Sequence, residues 1–245
     1  MLKNKIKIKI LNKIIKRNQK GFENTRRYAY LNTKRYCYEK ISSFFNGKNV
    51  LELGSDGTAT SSILVRWSKE LTVVDMEDKF TEQIKSDKKL NKAQFILSKW
   101  EEFKPKKKFS DILLTDSLEH IEHPIELLKI IKSWLKKDGA LHIIVPNALS
   151  LHRLLGVEMG LLQSPYELNE NDIGSGHIKV YDHEILKAEL KKAEYSIVSC
   201  QGVQLKLNTD IQLANLLDSF SDATNKLSYL FNENCAEIYI CCKNQ

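Results

Sequence analysis

A glycine-marked turn follows the first short apolar run of the chain, at Leu51-Glu52-Leu53-Gly54-Ser55-Asp56-Gly57. Glycine lets a chain leave a strand tightly and lets a ligand approach its backbone. The segment after the turn reads as a helix, whose first N–H groups have no partner inside the helix. Asp75 lies 18 residues past Gly57, at the end of the next apolar run. There a carboxylate is placed to accept both hydroxyls of a ribose. Together the turn and the acid predict a site for a nucleoside-containing ligand at the carboxyl edge of a sheet.

Groups suited to proton transfer come later in the chain: Asp116, His120, His123, His152 and His177. Each histidine is open to two readings, a general base or a structural hydrogen-bonding group. His123 precedes Pro124 and also suits a helix-capping role, whereas His142 alternates within an apolar run and reads as structural. Glu119-His120 and Glu122-His123 are adjacent pairs, but no spacing here demands a metal, and none is expected. His152, Arg153 and Lys179 form either an anion site for an acceptor or solvated charge.

These residues need a scaffold, and the hydrophobic pattern supplies one. Short apolar runs at 49–53, 71–74, 93–97, 111–114 and 140–145 alternate with helical patterns at 60–69 and 124–135, the signature of a parallel α/β sheet. A polar helix containing Phe80 and Ile84 is expected before the third strand. Asp138-Gly139 is expected to close the helix that begins at Pro124. From about 147 to 181 the alternation breaks, with a Leu-rich helix, Ser164-Pro165 and the Gly174-Ser175-Gly176 turn. A connection of that length in a compact domain reads as a lid or substrate loop. A helix at 183–193, a strand at 195–205, a helix at 210–231 and a last strand at 236–242 complete the chain.

Upstream, residues 25–45 carry tyrosines at 28, 30, 36 and 38 beside Arg35 and read as a helical cap. The tyrosines either cover the ligand or pack on the sheet. Residues 1–20 hold eight lysines and arginines and no acid, so they account for the net charge of +7. The remainder carries 30 basic and 31 acidic side chains. A basic arm is therefore expected ahead of a nearly neutral domain, either a solvated, partly helical terminus or a segment touching an anionic surface.

The chain has 245 residues, enough for one α/β domain with additions and a core that needs neither metal nor disulfide. Cys37, Cys200, Cys235, Cys241 and Cys242 follow no ligand spacing, and Cys241 and Cys242 should point to opposite faces of one strand. With no signal-peptide pattern and no apolar stretch long enough for a membrane span, the cytoplasm is the expected compartment.

Val50–Gly57, Val73–Met76, Trp100-Glu101-Glu102-Phe103 and Leu118-Glu119-His120 occur in the order and spacing of class I methyltransferases. Over about residues 45–200 the chain resembles the small bacterial group that includes ubiquinone-biosynthesis and surface-polysaccharide-cluster methyltransferases. The family's E-x-G-x-G-x-G pattern is altered, with Asp56 at its second glycine and Thr58 at its third. The resemblance implies a Rossmann-like, seven-stranded, mostly parallel sheet with helices on both faces, an N-terminal helical cap and a lid after strand five. It also implies S-adenosylmethionine as cofactor. Glu52, Gly54, Ser55 and Gly57 would lie around its methionine portion, Asp75 at the ribose, Met76 on the adenine and Lys99 and Trp100 at the adenine edge. Trp100 has the alternative reading of a core aromatic. Asp116 falls beside the methionine amino group and the methyl donor, and His120 and His177 face the acceptor. His152, Arg153 and Tyr181 fall in the lid, over a small and possibly anionic acceptor.

The expected organisation is therefore a basic arm over 1–20, a helical cap over 21–46 and a methyltransferase domain over 47–245. The expected reaction is methyl transfer to a small acceptor, by O-methylation of a sugar or phosphorylated precursor of a surface polysaccharide. Two rivals remain: an RNA-binding or RNA-modifying methyltransferase using the basic arm, and a nicotinamide-linked oxidoreductase. The second would require a complete G-x-G-x-x-G and a hydride-transfer pair, and the sequence shows neither clearly.

Overall fold

The computed structural model describes residues 2–23, 25–55, 59–78, 87–216 and 218–244. The expected helix around Phe80 and Ile84, and with it Gly57, lies outside the described residues. Seven strands form one sheet in the order β3-β2-β1-β4-β5-β7-β6. They are β1 (Asn49–Leu53), β2 (Glu70–Asp75), β3 (Gln94–Leu97), β4 (Phe109–Thr115), β5 (Leu135–Pro146), β6 (Tyr195–Val203) and β7 (Glu237–Asn244). The first five are parallel and β7 runs antiparallel between β5 and β6. The strand order reverses between β1 and β4, so the crevice at their carboxyl ends is where ligands of such sheets bind.

The central strands are apolar on both faces because helices cover both. On one face Leu51, Leu53, Ile112, Leu114, Ile143 and Val145 meet helices α4 (Pro124–Trp134) and α7 (His183–Lys192). On the other, Val50, Val73, Leu113 and Ile144 meet α1 (Leu2–Gln19), α2 (Arg26–Ser42) and α3 (Thr60–Trp67). Cys241 and Cys242 point into opposite cores, as the period of a strand requires.

Three expectations change. The basic arm is a docked helix: Leu11, Ile14 and Ile15 are buried, Lys7 Nζ donates to the Phe45 carbonyl at 2.7 Å, and Arg17 joins Arg66 on Asp87. Leu11, Ile14 and Ile15 recur at helical spacing and give this segment an apolar stripe that its charge obscured. Secondly, Asp138-Gly139 does not close α4, which ends at Trp134 as Leu135 pairs with Phe109 at the start of β5. A side chain on Gly139 would lie 2.9 Å from the Phe109 carbonyl, so this glycine serves a close backbone approach at a bulge. Thirdly, the helix expected over 210–231 is broken into α8 (Asp210–Ala214), α9 (Asp218–Lys226) and short 3-10 turns.

The long connection after β5 carries α5 (Leu151–Glu158) and α6 (Glu170–Gly174), and it returns to the sheet through an Asn147–Tyr181 bridge. Among the described residues, no helix is long and apolar enough to cross a membrane.

Candidate functional site

The β1 turn is fixed from below and from the side. Gly54 adopts φ +81°, and its backbone N–H donates to the Val74 carbonyl at 3.0 Å. A Cβ there would lie 2.9 Å from Ser117 Oγ and 3.2 Å from the Trp100 ring, so both geometry and space require glycine. Trp100 is buried and donates its indole N–H to the Val74 carbonyl at 3.2 Å, which gives it a structural role beneath the turn. Glu52 is fully buried and accepts the Ser61 hydroxyl at 2.5 Å, and Ser61 also meets Ser55 Oγ at 3.2 Å. The start of α3 is thereby tied to the end of β1.

Asp75 closes β2 and accepts two backbone N–H groups, from Ser55 at 2.7 Å and Glu77 at 2.9 Å. Met76 next to it is 59 % exposed, an unusual state for methionine and a ready apolar platform. Met76, Lys99 and Trp100 line a groove of about 610 Å³, shared with His120, Ile121 and Leu127. The expected cofactor residues on β2 and after β3 are thus brought together.

Asp116 leaves β4 with φ +51°, a left-handed conformation that Asp tolerates better than most residues. Its N–H donates to the Ile144 carbonyl, Tyr30 Oη donates to its Oδ2 at 3.2 Å, and Lys34 forms an ion pair with the same oxygen. Lys34 is 1 % exposed. Burial opposes its positive charge, but Asp116 outweighs burial and holds the ammonium protonated above the ordinary lysine range. Within the tyrosine-rich helix, Tyr30 reaches Asp116, while Tyr36 and Tyr38 are buried in the core on the α1–α3 face of the sheet.

Beyond Asp116, Glu119 is fully buried, and neither carboxylate oxygen has a hydrogen-bond partner among the described residues. Burial, then the charge of Asp116, pushes its carboxyl well above the usual range. The connection between β5 and α7 packs on this segment. Ile178 N–H donates to the Glu119 carbonyl at 3.0 Å, His120 Nδ1 donates to the Gly176 carbonyl at 2.9 Å, and the His120 and His177 ring centroids are 4.9 Å apart. His177 places Nδ1 3.4 Å from Asp172 Oδ1 and Nε2 3.9 Å from Glu119 Oε1. Asp172 is held by Arg153 at 2.9 Å. Burial opposes ionisation of Asp172, but its bonds to His177 and Arg153 prevail and lower it to about 2.

A second cavity, of about 740 Å³, opens between α2, the connection after β5 and the segment after β6. Arg26, Arg27, His152, Lys206, Asp210 and Glu237 are among its lining residues. Burial, aided by Lys206 and Arg153, lowers His152 to about 3, so this imidazole stays neutral. Glu237 is half-buried, its Oε2 is sealed from solvent with no hydrogen-bond partner among the described residues, and burial pushes its carboxyl up to about 7.

Other expected acceptor contacts fall elsewhere. Arg153 lines this cavity, yet its guanidinium is spent on Asp172 and the Pro165 and Glu167 carbonyls. Tyr181 is fully buried and donates to Glu189 at 2.9 Å, and Lys179 pairs with Glu189 as well. His123 occupies the N-cap position of α4 without a side-chain capping bond. His142 is structural: it is fully buried between Tyr239 Oη at 3.0 Å and Asp111 at 3.4 Å. Lys34, Asp172 and Glu237 were not anticipated as site residues. The one available signal was Lys34, four residues after Tyr30 and so on the same helix face.

Residues 23–200 match the family described as a methyltransferase domain. Comparison with curated proteins finds no match. Among solved structures, a S-adenosylmethionine-dependent methyltransferase from Mesorhizobium loti is similar with a TM-score of 0.61 at 9 % identity, over 86 % of this chain and 99 % of that one. N-methyltransferase NodS from Bradyrhizobium japonicum WM9, in complex with S-adenosyl-L-homocysteine, gives 0.52 at 13 % identity, over 88 % and 98 %. Burkholderia thailandensis 1,6-didemethyltoxoflavin-N1-methyltransferase, with 1,6-didemethyltoxoflavin and S-adenosylhomocysteine bound, gives 0.56 at 12 % identity, over 87 % and 78 %. At such identities the likeness is one of fold, whereas the family match spans most of the chain. The chain belongs to the methyltransferase domain family.

Proposed function

We propose that this protein transfers the methyl group of S-adenosylmethionine to a hydroxyl of a small polar acceptor, a sugar or phosphorylated precursor of a surface polysaccharide. The observation that carries this reading is the presence of two separate spaces near the carboxyl ends of the strands. The groove lined by Met76 and Trp100 follows Asp75 at the end of β2, and the polar cavity is lined by Tyr30, which bonds Asp116 just after β4. The cavity volume falls within the ordinary range of small-molecule sites.

The residues present fit the cofactor. A carboxylate offers about four lone-pair positions, so Asp75 keeps acceptor capacity for ribose hydroxyls beyond its two backbone donors. Asp116 Oδ1 is sealed from solvent and has no hydrogen-bond partner among the described residues, which suits the ammonium of the methionine portion. When bound, the sulfonium supplies an activated methyl group. The protein's task is chiefly alignment, which is worth several kcal/mol, roughly 7–11 in favourable cases. Tyr30 and Lys34 fix Asp116.

The cavity wall supports a second reading, an amine as the accepting atom. Glu237 Oε2 has no hydrogen-bond partner among the described residues, and two of the three similar structures above are N-methyltransferases by name. Transfer of labelled methyl from S-adenosylmethionine to sugars, sugar phosphates, nucleotide sugars and their amino-sugar counterparts separates the readings. Hydroxyl-only sugars should be methylated. Labelling confined to amino sugars would overturn O-methylation.

A further inference from the structure

We propose that Glu119, His120 and His177 form a binding site for one divalent first-row transition cation, seated between the cofactor groove and the lid. One ligand atom from each residue lies within 4.8 Å of those of the other two. Ligands held about 2.1 Å from one ion on one side of it lie ~3.0–3.4 Å apart, so side-chain adjustments of up to about 1.5 Å close the site.

The orientation of each group fits ligation. His120 donates Nδ1–H to the Gly176 carbonyl at 2.9 Å, which leaves the Nε2 lone pair free. His177 turns Nδ1 toward Asp172 and Nε2 toward Glu119. Ligating histidines characteristically give their second nitrogen to a carbonyl or a carboxylate in this way, and the tautomer is thereby fixed. Asp172 is anchored in turn by Arg153 at 2.9 Å.

Glu119 supplies the independent observation. It is fully buried, with both oxygens unpartnered among the described residues. Ionising this carboxyl without a hydrogen-bond donor costs several kcal/mol, on the order of what an unpaired polar group loses on leaving water. A cation beside it removes that cost. Two imidazoles and one carboxylate on one side of an ion leave coordination positions open, the arrangement of a site that binds an exogenous oxygen. The mixed N and O donors favour Mn²⁺, Fe²⁺, Co²⁺ or Zn²⁺ over Mg²⁺ or Ca²⁺.

The role of the ion rests on the hydroxyl reading above, although its binding does not. Bound to the ion, the acceptor hydroxyl becomes more acidic and releases its proton to water. The oxygen lone pair then forms the new C–O bond. The electron pair of the broken C–S bond returns to sulfur, turning the sulfonium into a neutral thioether.

The test is calorimetric titration of chelator-treated full-length protein with ZnCl₂ and with MnCl₂, using MgCl₂ as the comparison ion. Co²⁺ absorption in the visible range reports ligand geometry. One equivalent should bind at micromolar or lower concentration, at least tenfold tighter for Zn²⁺ than for Mg²⁺. Glu119→Gln and His177→Ala should each weaken Zn²⁺ binding at least thirtyfold. His123→Ala, an exposed histidine three residues from His120, should alter it less than twofold. No binding to the wild type below 1 mM, or binding unchanged in the Glu119 and His177 variants, overturns the site. Wild-type titration and its Co²⁺ spectrum decide even if a variant fails to fold. S-adenosylhomocysteine titration of the same samples keeps the two readings apart. Ion binding without it supports the site and sinks the cofactor, and the reverse result sinks the site alone.

Discussion

The Asp75 carboxylate accepts the Ser55 N–H at 2.7 Å while its other oxygen accepts the Glu77 N–H at 2.9 Å, so one side chain fixes the turns that end β1 and β2. Those turns form the floor of the proposed cofactor site. Asp75→Ala should therefore weaken S-adenosylhomocysteine binding at least tenfold, through lost ribose hydrogen bonds and a loosened turn, while Asp75→Asn falls between. Calorimetric titration measures both, and unchanged affinity in the alanine variant would remove Asp75 from the site.

Gly54 is required for conformation and for space. Gly54→Ala must hold φ +81° with a side chain and press on Ser117 and Trp100, at a cost of about 1–3 kcal/mol. Urea unfolding measures this directly. A variant as stable as the wild type would show that the turn adopts another course.

Lys34 and Asp116 form a buried pair in which removal of one partner strands the other. Lys34→Met should destabilise the fold by about 3 kcal/mol and lower turnover, because Asp116 loses its counter-ion. Adding Asp116→Asn should restore part of the stability without restoring activity, and additivity of the two losses in a double-mutant cycle would contradict a direct pairing.

The pH dependence of stability should carry the signature of His142. Burial opposes its protonation, but the Asp111 carboxylate prevails and lifts it to about 9. A folded value above the unfolded one stabilises the protein in full below about pH 6.5, and this contribution is lost as pH rises through about 9. Thermal midpoints of the wild type should accordingly fall across that window. His142→Gln should be less stable at pH 6 and show a flatter profile above it, and a parallel profile would place the slope elsewhere.

His120 and His177 meet across the lid, so each alanine variant should lower turnover at least about tenfold. Single-turnover methyl transfer at saturating cofactor checks this. Full activity in both variants would remove the two histidines from the reaction.

Much of the sheet was legible because strands buried on both faces are short apolar runs bounded by Gly, Asp or Pro, as at Asn49–Leu53 and Asp75. The arm was misread because eight cations outweigh the stripe of Leu11, Ile14 and Ile15, and only tertiary packing shows that stripe to be covered. Gly139 looked like a helix stop because its true constraint, the Phe109 carbonyl, comes from a strand 30 residues earlier. The proposed cofactor residues lie within or beside their motifs, so they can be named from local sequence. By contrast, Lys34, Asp172 and Glu237 come to the site from α2, the lid and β7, and no spacing in the chain links them.

The central claim is that the crevice between β1 and β4 holds S-adenosylmethionine. Calorimetric titration of the full-length protein with S-adenosylhomocysteine tests it most directly, with NADH titrated in parallel. The account predicts one site with a micromolar dissociation constant, about −8 kcal/mol, and no heat from NADH. Saturable NADH binding with none of S-adenosylhomocysteine would contradict it.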